Sequence, residues 1–115
     1  MNRSRALLTG MLLAVSLSLA ACKGGVTPIK TLLDDPSLYE AKTVRIAGNV
    51  EEAAGVLGYG IYRVNDGTGT LTVLTQSSGA PRGGAKVGVE GEFRSAFTLG
   101  TETLAVIMEK QRFSP

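Results

Sequence analysis

The chain has 115 residues, twelve basic and ten acidic side chains, a single cysteine and no histidine. The lack of histidine removes the usual general base and most transition-metal donor sets, and with one thiol at most there is no dithiol chemistry. The formal excess of +2 would suit a polyanion partner only if it belonged to the folded domain.

The excess sits at the start of the chain. Arg3 and Arg5 precede an apolar run from Ala6 to Ala20, broken only by Thr9, Gly10, Ser16 and Ser18, and no further charge appears before Lys23. At about 1.5 Å per helical residue the run falls short of the roughly 20 residues that span hydrocarbon, so a removed signal fits better than a permanent transmembrane helix. Leu19-Ala20-Ala21-Cys22 resembles the bacterial lipobox. The resemblance implies cleavage between Ala21 and Cys22 and lipid attachment at Cys22, giving a lipoprotein whose partner is membrane lipid. An uncleaved anchor, or an ordinary secretory signal that leaves Cys22 a plain thiol, are the alternatives. Lys23 stands where some sorting systems read Asp as an inner-membrane signal, so the resemblance points to the outer membrane of a bacterial cell envelope, facing the periplasm. Cleavage discards Arg3 and Arg5 and leaves a neutral chain, which does not favour polyanions. An acylated Cys22 leaves no thiol for a disulfide.

Residues 22–28 read as a glycine-containing tether and 29–115 as one small domain. Ile29, Leu32 and Leu33 recur at helical spacing, but Pro36 limits any helix to about a turn on either side. From Thr43 the period changes to two. Val44, Ile46, Gly48 and Val50 alternate with polar residues, and Val87, Val89, Gly91 and Phe93 repeat the pattern, each with glycine third. A glycine on a buried strand face permits the bulge or sharp coil that closing a small barrel requires. Between them, 58–65 and 70–75 read as strands joined by Asp66-Gly67-Thr68-Gly69, a hairpin signal, and 103–113 as the last strand. Five short strands separated by turn signals predict an all-β barrel or sandwich.

Tyr62-x-Val64-x-Asp66-Gly67-Thr68-Gly69-x-Leu71-x-Val73, followed by Pro81-x-x-Gly84-x-x-Val87-x-Val89-x-Gly91, resembles the single-domain OB-fold proteins. The preceding Asp35-Pro36-x-x-Tyr39-x-x-Lys42-x-Val44-x-Ile46-x-Gly48-x-Val50 is similar to the opening of many bacterial envelope members of that group, with Ala41 where glycine is common. The resemblance implies an all-β, five-stranded OB-fold-like barrel with a short N-terminal helical segment. No helix is readable between strands three and four, so Leu32, Leu33 and Leu38 are expected to plug the barrel end. OB-folds bind ligands on strands two and three, between the loops that join strands one to two and four to five. With Tyr62 and Val64 inward, alternation puts Tyr59, Ile61 and Arg63 outward, with Thr72 and Leu74 beside them. The flanking loops are expected at 51–58 and 95–102, the second carrying Phe97.

Tyr59, Arg63 and Phe97 could stack on and clamp a base; they could equally be ordinary strand formers, a solvated charge and a barrel-mouth apolar contact. The residues therefore suggest a lipid-anchored binding or scaffold module for an envelope protein, glycan or small ligand, with single-stranded oligonucleotide binding as the alternative. Nucleic acid is disfavoured by the neutral chain and by Glu51-Glu52 beside the face. The acidic pairs Glu51/Glu52, Glu90/Glu92 and Asp34/Asp35 read as solvated strand and loop charges rather than an acid–base or calcium site. The chain is expected to be no enzyme, without cofactor or metal.

Overall fold

The structure, a computed structural model, describes residues 25–56, 59–76 and 79–115. The expected signal, its expected cleavage point and the expected lipid attachment at Cys22 all lie outside the described residues. Five strands follow two short helices: α1 (Ile29–Asp34), α2 (Pro36–Tyr39), β1 (Thr43–Val56), β2 (Tyr59–Asn65), β3 (Thr70–Thr75), β4 (Lys86–Leu99) and β5 (Glu102–Phe113). Pro36 sits in the first turn of α2, where its missing N–H leaves no helical bond unmade.

β1 pairs with both β2 and β4, so the order β1-β2-β3-β5-β4 closes into a barrel. Every pairing is antiparallel except that of β3 with β5. Directly opposed residues share a sheet face. Tyr62 lies opposite Val73, Val73 opposite Ile107 and Ile107 opposite Phe93, and all four are fully buried. They form one layer of the core, which Val44, Ile46, Val50, Val64, Leu71, Val87 and Val89 continue. Complete burial of each such side chain contributes about 1.5–3 kcal/mol.

Two glycines show how so small a barrel closes. Gly91 lies at the register shift between Glu90 and Gly91, and a Cβ there would run into the Met108 carbonyl. Gly48 lies at no shift; its missing side chain lets β1 approach the Asn65 carbonyl of the neighbouring chain segment. β1 and β2 shift register instead between Val50 and Ala53. Ala41, at the position where glycine is common in the resembling pattern, has φ of 62°, the left-handed region.

Ile29 and Leu32 are fully buried and close one end of the barrel, whereas Leu33 and Leu38 are 41% and 61% exposed. The expected plug of Leu32, Leu33 and Leu38 is thus corrected to Ile29 with Leu32. The i, i+3 pair shares one helical face, and Leu33 is rotated off it by the next 100° step. Asp66 ties this plug to the β2–β3 turn: its carboxylate accepts from the N–H of Ile29 (2.8 Å), the N–H of Thr68 (2.8 Å), the Thr68 hydroxyl (2.6 Å) and the N–H of Gly69 (3.2 Å). Partial burial works to raise its pKa, but the Thr68 hydroxyl and the three N–H groups outweigh it and hold the carboxyl below the ordinary value.

Further along the barrel interior, the Tyr62 hydroxyl donates to Glu109, whose side chain is 3% exposed, and Arg112 Nε donates to the same carboxylate at 2.8 Å. Arg112 also donates to the Gly79 carbonyl and lies 5.4 Å from the Tyr62 ring centroid. Burial works against the Glu109 charge, yet donors from Arg112, Thr75 and Tyr62 lower its pKa overall. Burial, then the bond to Glu109 and its charge, push the Tyr62 phenol up.

Candidate functional site

The outer face of the sheet is read from the same registers. Arg63 lies opposite Thr72 and Thr72 opposite Val106; Ile61 lies opposite Leu74 and Leu74 opposite Met108. Two hairpins extend beyond this three-stranded floor. The first is the end of β1 with the start of β2, where Ala53 faces Tyr62 and Ala54 faces Ile61; the second is the end of β4 with the start of β5, where Phe97 faces Leu104 and Leu99 faces Glu102. Between them lies a cleft of about 720 Å³. Its floor is Ile61, Arg63 and Thr72, one wall is Glu52, Ala53 and Ala54, and the other is Leu99, Glu102 and Leu104.

Three ionisable side chains line this cleft, Glu52, Arg63 and Glu102, and none has a hydrogen bond or ion pair to another described residue. Two carboxylates against one guanidinium give the cleft a formal excess of negative charge. The apolar lining can bury a hydrophobic group, while the three charges stand ready for polar partners.

Of the expected face, Ile61, Arg63 and Thr72 come together in the cleft. Leu74 points to the same side but is only 2% exposed and does not line it. The correction has a simple cause: β3 is flanked on both edges, and Ile61 and Met108 stand beside Leu74 in register. Phe97 is also corrected. It is half-buried in a strand pairing with Leu104 rather than in a loop, and Leu99 and Leu104 occupy the wall in its place. Tyr59 is the first residue of β2, opposite Val56 near the tip of the first hairpin.

Solved structures share this architecture. One segment of the chain, 66% of it, superposes on 20% of asparaginyl-tRNA synthetase from Pyrococcus horikoshii with a TM-score of 0.56 at 18% identity. An OBody bound to hen egg-white lysozyme superposes over 79% of this chain and 95% of its own, with a TM-score of 0.60 at 14% identity. The barrel is OB-fold-like. A second OBody bound to the same lysozyme gives 0.59 at 17% identity over 77% of this chain and 92% of its own. At these identities the likeness is one of fold, and the chain spans only about a fifth of the synthetase. No family model matches the chain, and no curated protein matches it.

In the OB-fold-like barrel the cleft occupies the ligand-binding position of that architecture, across β2 and β3 between the two hairpin arms. Glu52 is expected beside the face from sequence, whereas Ala53, Ala54, Leu99, Glu102 and Leu104 are lining residues not anticipated individually. A signal for the second arm was present in Leu99-Gly100-Thr101-Glu102: Gly100 has φ of 66°, and Gly-X is a two-residue hairpin turn. The acidic pairs are dispersed among other contacts. Glu90 lies 3.5 Å from Arg45 and accepts from Gln111, Glu92 pairs with Arg94, Asp34 with Lys30, and Glu51 accepts from Asn65.

Proposed function

We propose that this chain is a lipid-anchored binding or scaffold module of the bacterial cell envelope, without catalytic activity, which holds an envelope protein, glycan or small ligand in the cleft between its two hairpin arms. The observation that carries the reading is the cleft lining: Ile61, Ala53, Ala54, Leu99 and Leu104 supply an apolar surface beside Glu52, Arg63 and Glu102, which pair with no other described residue. Such a surface suits a neutral or partly cationic ligand. Non-specific nucleic-acid affinity comes chiefly from Lys and Arg neutralising phosphates, and here one arginine faces two carboxylates. The lipobox resemblance at Cys22 supplies the anchor, and Lys23 supports an outer-membrane address.

Two measurements on the full chain expressed in a bacterial host test this reading. Mass spectrometry should find residues 22–115 carrying acyl chains on Cys22, and Cys22→Ala should leave the membrane fraction; an unacylated chain contradicts the anchor. Titration with a fluorescent single-stranded oligonucleotide should show no binding at low salt. Binding that weakens steeply as salt rises would replace the proposed ligand class with nucleic acid.

A further inference from the structure

The large exposed hydrophobic side chains among the described residues are Val26, Leu33 and Leu38, at 45%, 41% and 61% exposure. All three belong to the segment that runs into the barrel before β1. The same segment buries Ile29 and Leu32 as the plug, so Leu33 lies on a helix whose inner side is already committed to the core, while α2, which carries Leu38, buries no residue fully and packs Tyr39 against the core. The N–H of Thr27 donates to the Arg45 carbonyl at 2.8 Å and pins the entry of this segment to β1.

That pin makes the tether short. Five residue steps separate Cys22 from Thr27, and at roughly 3.3–3.6 Å each they reach at most about 18 Å. A domain of this size is about 30 Å across. A chain anchored at Cys22 therefore cannot turn end over end, and the surface around residues 26–38 stays next to the bilayer at high effective concentration. Charges there are largely internal: Lys30 pairs with Asp34 at 2.6 Å, and Glu40 accepts from the N–H of Ser95 at 2.9 Å. Asp35 is exposed beside them and acidic groups outnumber basic ones, so an apolar contact with the lipid boundary is favoured over attraction to anionic headgroups. Among the described residues no helix is long and apolar enough to cross a membrane, and the contact is accordingly peripheral.

We infer that the α1–α2 end of the barrel, through Val26, Leu33 and Leu38, rests in the headgroup–acyl boundary of the membrane and fixes the orientation in which the cleft is presented. The inference rests on the proposed anchoring at Cys22. Since Cys22 is the only cysteine and its sulfur carries the lipid, an introduced cysteine can be labelled alone.

The acylated full chain, its mass verified, is reconstituted in phosphatidylcholine vesicles after Leu33→Cys, Leu38→Cys or, as a control, Gln76→Cys, each labelled with an environment-sensitive fluorophore. Gln76 is exposed and follows the end of β3 remote from the plug. Nitroxide-labelled phosphatidylcholine should quench the labels at positions 33 and 38 at least about twofold more than the label at 76. Equal quenching at all three positions in a vesicle-bound, acylated chain overturns the docking while leaving the anchor intact. An unacylated chain overturns both. Fluorescence that follows protein density in the vesicle rather than lipid quencher would assign the patch to a second copy of the chain and overturn the lipid contact.

Discussion

Ala41 holds a backbone φ of 62°, a conformation that costs an L-residue about 1–2 kcal/mol and glycine almost nothing. Ala41→Gly should therefore stabilise the fold by about 0.5–1 kcal/mol after the entropy of the unfolded glycine is set against it, raising Tm by several degrees. A thermal melt that shows no rise or a fall contradicts strain at this site. Gly48 argues the opposite way. Its Cβ would meet the Asn65 backbone carbonyl, which cannot rotate aside as a side chain could, so Gly48→Val should cost about 2–3 kcal/mol despite valine's preference for strands. An unchanged urea midpoint would mean that β1 does not approach β2 so closely. At this scale the sequence pattern yields the side on which a residue points but not what covers it. Leu74 alternates correctly to the outer face and is still buried, with Ile61 of the hairpin neighbour β2 and Met108 of β5 beside it in register.

Among the elements, β3 was legible to the residue at 70–75, since inward Leu71, Val73 and Thr75 and the Asp66–Gly69 turn bound it on both counts. β1 and β4 run further than their patterns suggest. Residues 51–55 are exposed throughout, and 94–99 alternate only between exposed and half-buried. A hairpin arm held away from the core has no buried face to write a strong period of two, which is why the pattern predicts loops at 51–58 and 95–102. The plug helix depends on a contact distant in sequence. Six residues are too few for a helix to persist alone, and α1 has no side-chain cap from Pro28; Asp66 supplies the acceptor for the Ile29 N–H instead. Asp66→Ala should cost about 1–2 kcal/mol, kept modest by the partial solvation of the carboxylate, and should expose α1 to faster amide exchange. The sign of the pH dependence follows from the same bonds. Asp66 and Glu109 have folded pKa values below their unfolded ones, so their contribution is complete above about pH 5 and is lost as pH falls through the folded values. Tyr62 is raised; its contribution is present below about pH 10 and is lost as pH rises beyond that. The urea midpoint measured against pH should fall on the acid side, and by less in Asp66→Ala.

For the whole molecule, the barrel and its plug segment were more legible in the sequence than the cleft, because closure depends on apolar periodicity whereas a cleft depends on how two arms fold toward each other. Arg63, Ile61 and Thr72 were legible as a shared face with Glu52 beside it, but the second carboxylate, Glu102, comes from the opposite arm and is seen only in the closed fold. The central claim is that this cleft holds the partner of the anchored protein. Its most direct measurement is in-cell photo-cross-linking of the native anchored chain with a photoreactive residue at Arg63 and, separately, at the exposed Gln111 of β5. Position 63 should give a discrete adduct that weakens severalfold in the Glu52→Gln, Glu102→Gln background, and position 111 none. Adducts from position 111 with none from position 63 would contradict the claim.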